Sequence, residues 1–284
     1  MTTSIDMAHS SAAPAGVVID TQERRYVRLR NVIAFAVYAF ILVPTLIVIP
    51  ISFGGNGELT FPPRVWSLDL YEQLFTSSSW MGTILQSLKV AGLTMVISML
   101  IGVPASYGLV RFEFPGKRFV MLLLMSPILV PVIVISLGLY LYFSRLHLVG
   151  TTAGLVVSHV AYVTPFMMMT VMAGVKKLDP ALEFAATIVG ANRRTVFFKV
   201  VLPQLRPSIL AGALFAFLVS FDEVVIAWFI TSPTTTTLPV KMYSSIQWDI
   251  SPVIAAVSAL LTVLSLAFCC ISVFLQPAAT ESSH

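Results

Sequence analysis

An all-α membrane protein with six spanning helices is the fold class this sequence predicts, and three observations predict it. Of 284 residues, 57% are hydrophobic and only 11% are charged, against about 25% charged in ordinary soluble domains. Six apolar runs reach the roughly 20 residues that a helix needs to cross the hydrocarbon core. Lys and Arg gather in alternate segments between those runs, the asymmetry that sets membrane orientation. The net charge of +4 belongs to this arrangement and not to a nucleic-acid-binding face, because the basic residues sit beside the apolar runs.

Residues 1–31 read as a disordered basic tail. As far as Gln22 the tail is rich in Ser, Ala and Thr and shows no periodicity; Arg24, Arg25, Arg28 and Arg30 follow. The first apolar run comes too late and is too long for a secretory signal. Spans are expected at 32–53, 83–109, 119–143, 152–175, 208–231 and 252–275, inside one transmembrane domain, 32–276. Residues 277–284 form a short C-terminal tail. Pro44, Pro104, Pro127 and Pro131 fall inside these runs and predict kinks without breaks, since neighbouring helices satisfy the freed carbonyls. With the N-terminus in the cytoplasm, thirteen Lys and Arg residues between Arg24 and Arg206 fall inside, against Arg64, Arg145 and Lys241 outside. Both termini and the loop 178–207 are therefore expected in the cytoplasm.

Two external segments have structure of their own. Between Gly54 and Gly82, Ser67 caps a short amphipathic helix through Leu74, with Trp66 and Tyr71 at the interface; packing is favoured over a binding role. The segment Thr231–Ser251 contains Thr234–Thr237, Leu238-Pro239 and Trp248-Asp249. It fits either a solvated connector anchored by Tyr243 and Trp248, or a gate or landing surface for a substrate-delivering protein.

The polar interruption 178–207 reads LDPALEFAATIVGANRRTVFFKVVLPQLRP. Asp179 is placed to N-cap a short helix with Pro180 at its first position. Gly190 can take the left-handed conformation that ends it. Asn192-Arg193-Arg194-Thr195 opens a second helix, which Pro203 and Pro207 are expected to break. Glu183, Ala186 and Gly190 share one face of the first helix, a small-residue face that lets another surface come close. An ordinary basic cytoplasmic loop fits the same composition.

The spacing of this segment resembles the cytoplasmic coupling motif of ABC importer permeases: Glu-Ala-Ala, three residues, Gly, nine residues, Ile, any residue, Leu-Pro. Ala185-Ala186, Gly190, Leu202 and Pro203 stand in register, and Val200 takes the Ile place. The motif's Glu position holds Phe184, with a Glu one residue earlier at Glu183. The stretch Ser67–Arg111, with Gly102-Val103-Pro104-Ala105 and Tyr107 ahead of Arg111, resembles the same family. So does SFDEVV followed by Thr237-Leu238-Pro239, which is similar to permease subunits of spermidine/putrescine transporters. The resemblance covers roughly Ser67 to Phe274. It implies a type I importer permease fold whose loop, through Glu183, Phe184, Ala185, Ala186, Gly190, Leu202 and Pro203, couples to an ATP-hydrolysing subunit. It also implies two copies of that ATPase, a second similar permease, an extracytoplasmic solute-binding protein, and a location in the bacterial inner membrane. The implied cargo is a polyamine such as spermidine or putrescine, or another small organic solute.

Asp222 and Glu223 lie within the fifth run, where an ionised carboxylate costs roughly 2.5–3.5 kcal/mol on insertion scales. Three arrangements fit: pairing with Lys89 of the second span, solvation in an aqueous vestibule, or passage of a cationic solute. Tyr162, Phe221 and Trp228 are candidate aromatic walls of such a path, though aromatics in spans usually pack. His159 has no second ligand at helical spacing, so a hydrogen-bonded structural role is expected. Gly150 and Gly154 form a GxxxG that supports at most close helix packing. Cys269 and Cys270 are adjacent in an apolar run, which argues against a disulfide framework or a zinc site.

The sequence contains no phosphate-binding G-x-x-x-x-G-K-[ST], no H-E-x-x-H and no G-x-S-x-G. ATP binding by this chain, a catalytic site, a metal and a cofactor are therefore not expected. An ion-coupled secondary transporter, with Asp222 and Glu223 as proton or sodium sites, is the rival reading; no internal repeat of the kind common in such folds is visible.

Overall fold

The computed structural model describes residues 21–55, 59–248 and 251–275. Residues 1–20, the tail 277–284, Asp249 and the side chains of Cys269 and Cys270, for which expectations were given above, lie outside what is described. The described regular structure is helical: α1 Thr21–Ile51, α2 Asp69–Thr76, α3 Ser78–Arg111, α4 Lys117–Leu129, α5 Val132–Arg145, α6 Thr152–Lys177, α7 Pro180–Ile188, α8 Arg193–Val196, α9 Leu202–Phe221, α10 Val225–Ile230, α11 Leu238–Gln247 and α12 Val253–Leu275. A π-helical turn, Phe197–Val201, joins α8 to α9.

Four unbroken helices among the described residues are long and apolar enough to cross a membrane: Arg25–Ile51, Ser78–Arg111, Thr152–Lys177 and Arg193–Phe221. Three of the expected boundaries change. The first helix starts at Thr21, so residues 21–31 are helical where a tail was expected; Gln, Arg and Leu are good helix formers and extend the helix of the adjoining span. The third run is two helices, α4 and α5, bent by 106°. Proline disfavours helical backbone in the residue before it, and Val130, just ahead of Pro131, is extended at φ −91°, ψ 133°. Here the kink expected of Pro131 is a break, whereas Pro44, Pro104 and Pro127 stay inside helices.

The fifth run differs in the opposite sense. Its helix continues from Arg193 to Phe221, through Pro203 and Pro207, which were expected to break it. The π turn absorbs the mismatch: the Leu202 N–H donates to the Phe197 carbonyl, one residue beyond the α register, and a proline ring fits best beside such a widened turn. The helix ends instead at Asp222, and Asp222-Glu223-Val224 separate α9 from α10.

The core is built by α3, α6 and α9, which pack on one another most extensively. Val163, Met167, Val171 and Val175 of α6 meet Val103 of α3 and Leu205 and Ala216 of α9. Small residues permit the close approach that drives helix association in lipid. Gly174 is the clearest case, because a Cβ there would collide with the Ser208 side chain of α9. Gly154 faces the Leu148 carbonyl of the preceding loop, so Gly150 and Gly154 do not form a helix–helix seam. The short helix α2 buries Leu70 and Leu74 against Trp80 and the start of α12, a packing role. Ser67 Oγ accepts from the Asp69 N–H at 3.2 Å, one step ahead of the helix.

Candidate functional site: a coupling loop and a broken helix

Two features occupy different parts of the bundle, the α7–α8 loop and the break between α9 and α10.

In the loop, local chemistry forms both helices as their residues dictate. Asp179 Oδ1 accepts from the Ala181 N–H at 2.9 Å with Pro180 next to it. Asn192 Oδ1 accepts from the Thr195 N–H at 2.8 Å. Between them Gly190 has φ +89°. The Ala191 N–H reaches back to the Ala186 carbonyl and the Gly190 N–H to the Thr187 carbonyl, each at 3.0 Å, the paired bonds of a glycine-terminated helix.

The helix faces differ from expectation. Ala186 packs inward against the α3–α6–α9 core, and Glu183 is turned the same way. The Tyr107 hydroxyl donates to Glu183 Oε2 at 2.8 Å, and Arg111 Nε donates to Oε1 at 2.8 Å. Arg111 Nη2 also donates to the Leu178 carbonyl at 2.9 Å. The two charged side chains are only 15% and 16% exposed. Glu183 and Ala186 of the small-residue face therefore turn toward the chain's own bundle, and Gly190 does not. The outward face is apolar, with Phe184 69%, Ile188 72% and Val189 87% exposed, and Ala185 and Gly190 exposed beside them. Leu202 and Pro203 lie at the π turn, half-buried. One residue along a helix is a turn of about 100°, so a Glu at 183 instead of 184 exchanges the outward side for the inward one.

At the break, Asp222 and Glu223 separate. Glu223 is buried; its Oε1 accepts from the Val225 N–H and its Oε2 from the Ala227 N–H, both at 3.0 Å. It thereby satisfies backbone donors that the start of α10 would otherwise leave unpaired. His159 of α6 is fully buried, with Nδ1 2.8 Å from Ser220 Oγ and Nε2 3.9 Å from Glu223 Oε2. Nδ1 is thus hydrogen-bonded, as expected above, while the buried Nε2 has no hydrogen-bond partner among the described residues. Asp222 is exposed. It lines a cavity of about 690 Å³ together with Tyr162, Phe221, Glu223 and residues of α12 such as Ser265. Lys89 is exposed, and no ion pair joins it to either carboxylate among the described residues. Of the three arrangements that fit the sequence, pairing with Lys89 is not formed among the described residues; backbone N–H groups satisfy the buried Glu223 instead.

The segment after the break is not a simple connector. α11 packs on α3, and the Leu238 N–H donates to Ser87 Oγ at 2.7 Å. Tyr243 stands edge-on to Trp228 at 5.2 Å. Trp248 is 82% exposed and anchors nothing in the described structure. Trp228 faces a second, smaller cavity with Tyr243 and Trp248, which shares Val224 and Val225 with the cavity that Asp222 lines. Sequence reasoning missed the Arg111–Glu183–Tyr107 cluster, in which Glu183 lies more than seventy positions from the other two; the one signal available was that a basic and an acidic residue both stand at span ends.

Apolar helices long enough to cross a bilayer, packed around a buried core, define an all-helical membrane protein. Residues 98–279 match the family of binding-protein-dependent transport system inner membrane components, and the chain belongs to that family, the permease subunits of ABC importers. It is 31% identical over 238 residues to the spermidine/putrescine transport system permease protein PotC of Escherichia coli, covering 84% of this chain and 90% of that one. It is also 31% identical over 239 residues to the putrescine transport system permease protein PotI of Escherichia coli, covering 82% and 85%. The fold is similar to that of a bacterial ABC transporter involved in the import of the acidic polysaccharide alginate, with TM-score 0.73 and 13% identity over 90% of this chain and 99% of that one.

Proposed function

We propose that this chain is the membrane-spanning subunit of an ATP-driven importer that carries a polyamine, such as spermidine or putrescine, across the bacterial inner membrane. The single observation that carries the cargo assignment is the exposed Asp222 carboxylate, without an ion-pair partner among the described residues, on a cavity bordered by Tyr162 and Phe221. An extended polycation needs carboxylates and aromatic faces, and both attract ammonium groups strongly where water is scarce. The names of the PotC and PotI relatives point the same way. Both termini and the 178–207 loop lie in the cytoplasm, as the distribution of Lys and Arg favours.

In this reading a dimer of ATPase subunits binds the outward face of α7, and the exposed Phe184, Ile188 and Val189 are apolar knobs for a groove on that partner. A second permease completes the path, and an extracytoplasmic binding protein delivers the solute. The chain itself makes and breaks no covalent bonds. ATP-driven closure of the partner moves the loop, and the bundle responds by opening to one side of the membrane and then the other.

The test is ATP hydrolysis by the complex purified around this chain, reconstituted with its binding protein and offered spermidine, putrescine, neutral sugars or anionic compounds in turn. Stimulation by the polyamines alone is expected. Stimulation by another solute keeps the importer and removes the polyamine. Absence of any co-purifying ATPase from gently solubilised membranes would favour ion-coupled transport instead.

A further inference from the structure

The 178–207 loop is covalently continuous with α6 at one end and with α9 at the other. Its link to α3, the third core helix, is made by side chains. One guanidinium supplies two of its three hydrogen bonds. Arg111, the last residue of α3, donates through Nη2 to the Leu178 carbonyl at the α6–α7 corner and through Nε to Glu183 on α7. The Tyr107 hydroxyl, one helical turn earlier, closes the other carboxylate oxygen. The second half of the loop converges on the same end of α3. The Phe197 ring lies 5.1 Å from that of Tyr107, and the Arg193 guanidinium 5.4 Å above the Phe112 ring.

We infer that Arg111 and Tyr107 are positioning residues that make α3 move with the coupling loop, so that displacement of α7 is transmitted to all three core helices and not only to α6 and α9. The inference rests on the proposed role of the loop as the ATPase-docking element. It follows from three features. The tie is a forked, charge-assisted contact that fixes orientation as well as distance, because a guanidinium presents donors in a rigid plane. It is mostly shielded from water, so it holds where an exposed ion pair would exchange freely with solvent. And it uses the loop's carboxylate internally, which leaves the outward face of α7 apolar.

The experiment measures ATP hydrolysed per putrescine imported, in proteoliposomes containing the whole complex. The variants are Arg111→Glu, Glu183→Arg, the double exchange, Arg111→Lys and Tyr107→Phe. Each single charge reversal is expected to raise the ratio about tenfold, and the double exchange to bring it most of the way back, as residues coupled in one network do. Arg111→Lys keeps the charge but cannot bridge both acceptors, and is expected to raise the ratio too. Tyr107→Phe removes one hydroxyl, keeps the ring, and is expected to give a smaller rise. The inference is overturned if uptake and hydrolysis fall together at an unchanged ratio in Arg111→Lys and Tyr107→Phe, or if the ratio in the double exchange stays as high as in the singles. A wild-type complex that hydrolyses ATP without importing putrescine would instead overturn the cargo assignment, and the same ratio would then be read with the solute that stimulates it.

Discussion

Asp222 and Glu223 are adjacent carboxylates with different work. Glu223 accepts the Val225 and Ala227 N–H groups and stands near buried His159, while Asp222 faces the cavity. Asp222→Asn is expected to lower polyamine uptake about tenfold at equal membrane abundance, the loss of one well-placed charge–charge contact. Glu223→Ala is expected to lower abundance first, because the start of α10 loses its cap. Uptake assayed alongside immunoblotting separates the two; equal uptake by Asp222→Asn and wild type would remove that carboxylate from the path. Ser220→Ala leaves the buried Nδ1 of His159 without a partner, which costs about 1–3 kcal/mol and should appear as a lower melting temperature in detergent.

At the scale of elements, the corner after α7 depends on one backbone conformation. Gly190 sits at φ +89° with open space where a Cβ would stand, so Gly190→Ala is strained by its backbone and not by a collision. About 1–2 kcal/mol is expected, read as faster hydrogen exchange along α7. Gly190→Trp adds bulk to the exposed face, and is expected to leave the spans inserted while uncoupling ATP hydrolysis from import. Normal transport by that variant would show that nothing docks there. The prolines teach a related lesson. Pro131 bends the chain by 106° because the residue ahead of it is free to become extended, whereas Pro203 and Pro207 ride on a helix that had already widened into a π turn. The residue type is the same, and the neighbouring backbone decides between break and continuation.

For the whole molecule, the orientation makes a direct prediction. With the chain expressed without its ATPase partner, in a background with Cys269 and Cys270 replaced by alanine, Val189→Cys should react with an impermeant maleimide only in inverted vesicles, and Trp248→Cys only in intact spheroplasts. Both positions are highly exposed, so access to reagent depends on the side of the membrane. Labelling of both from one side would reverse or break the proposed topology.

The sequence by itself determined the helical membrane class, the glycine-terminated corner after α7 and its caps, because apolar run length, Asp179, Gly190 and Asn192 act through bonds within a few residues of themselves. The family likewise followed from local spacing, since Ala185-Ala186, Gly190 and Leu202-Pro203 lie in one segment. Two matters were decided only in the tertiary structure: which face of α7 turns outward, and that Glu183 is bonded to Arg111 and Tyr107 of α3. Both depend on groups brought together from separate helices, whereas Glu223 is capped by N–H groups two and four residues along the chain. In either case a buried acidic group settles where donors are already waiting. For Glu183 those donors are a guanidinium and a phenol on α3. For Glu223 they are the free N–H groups of a helix that begins only because its predecessor has stopped.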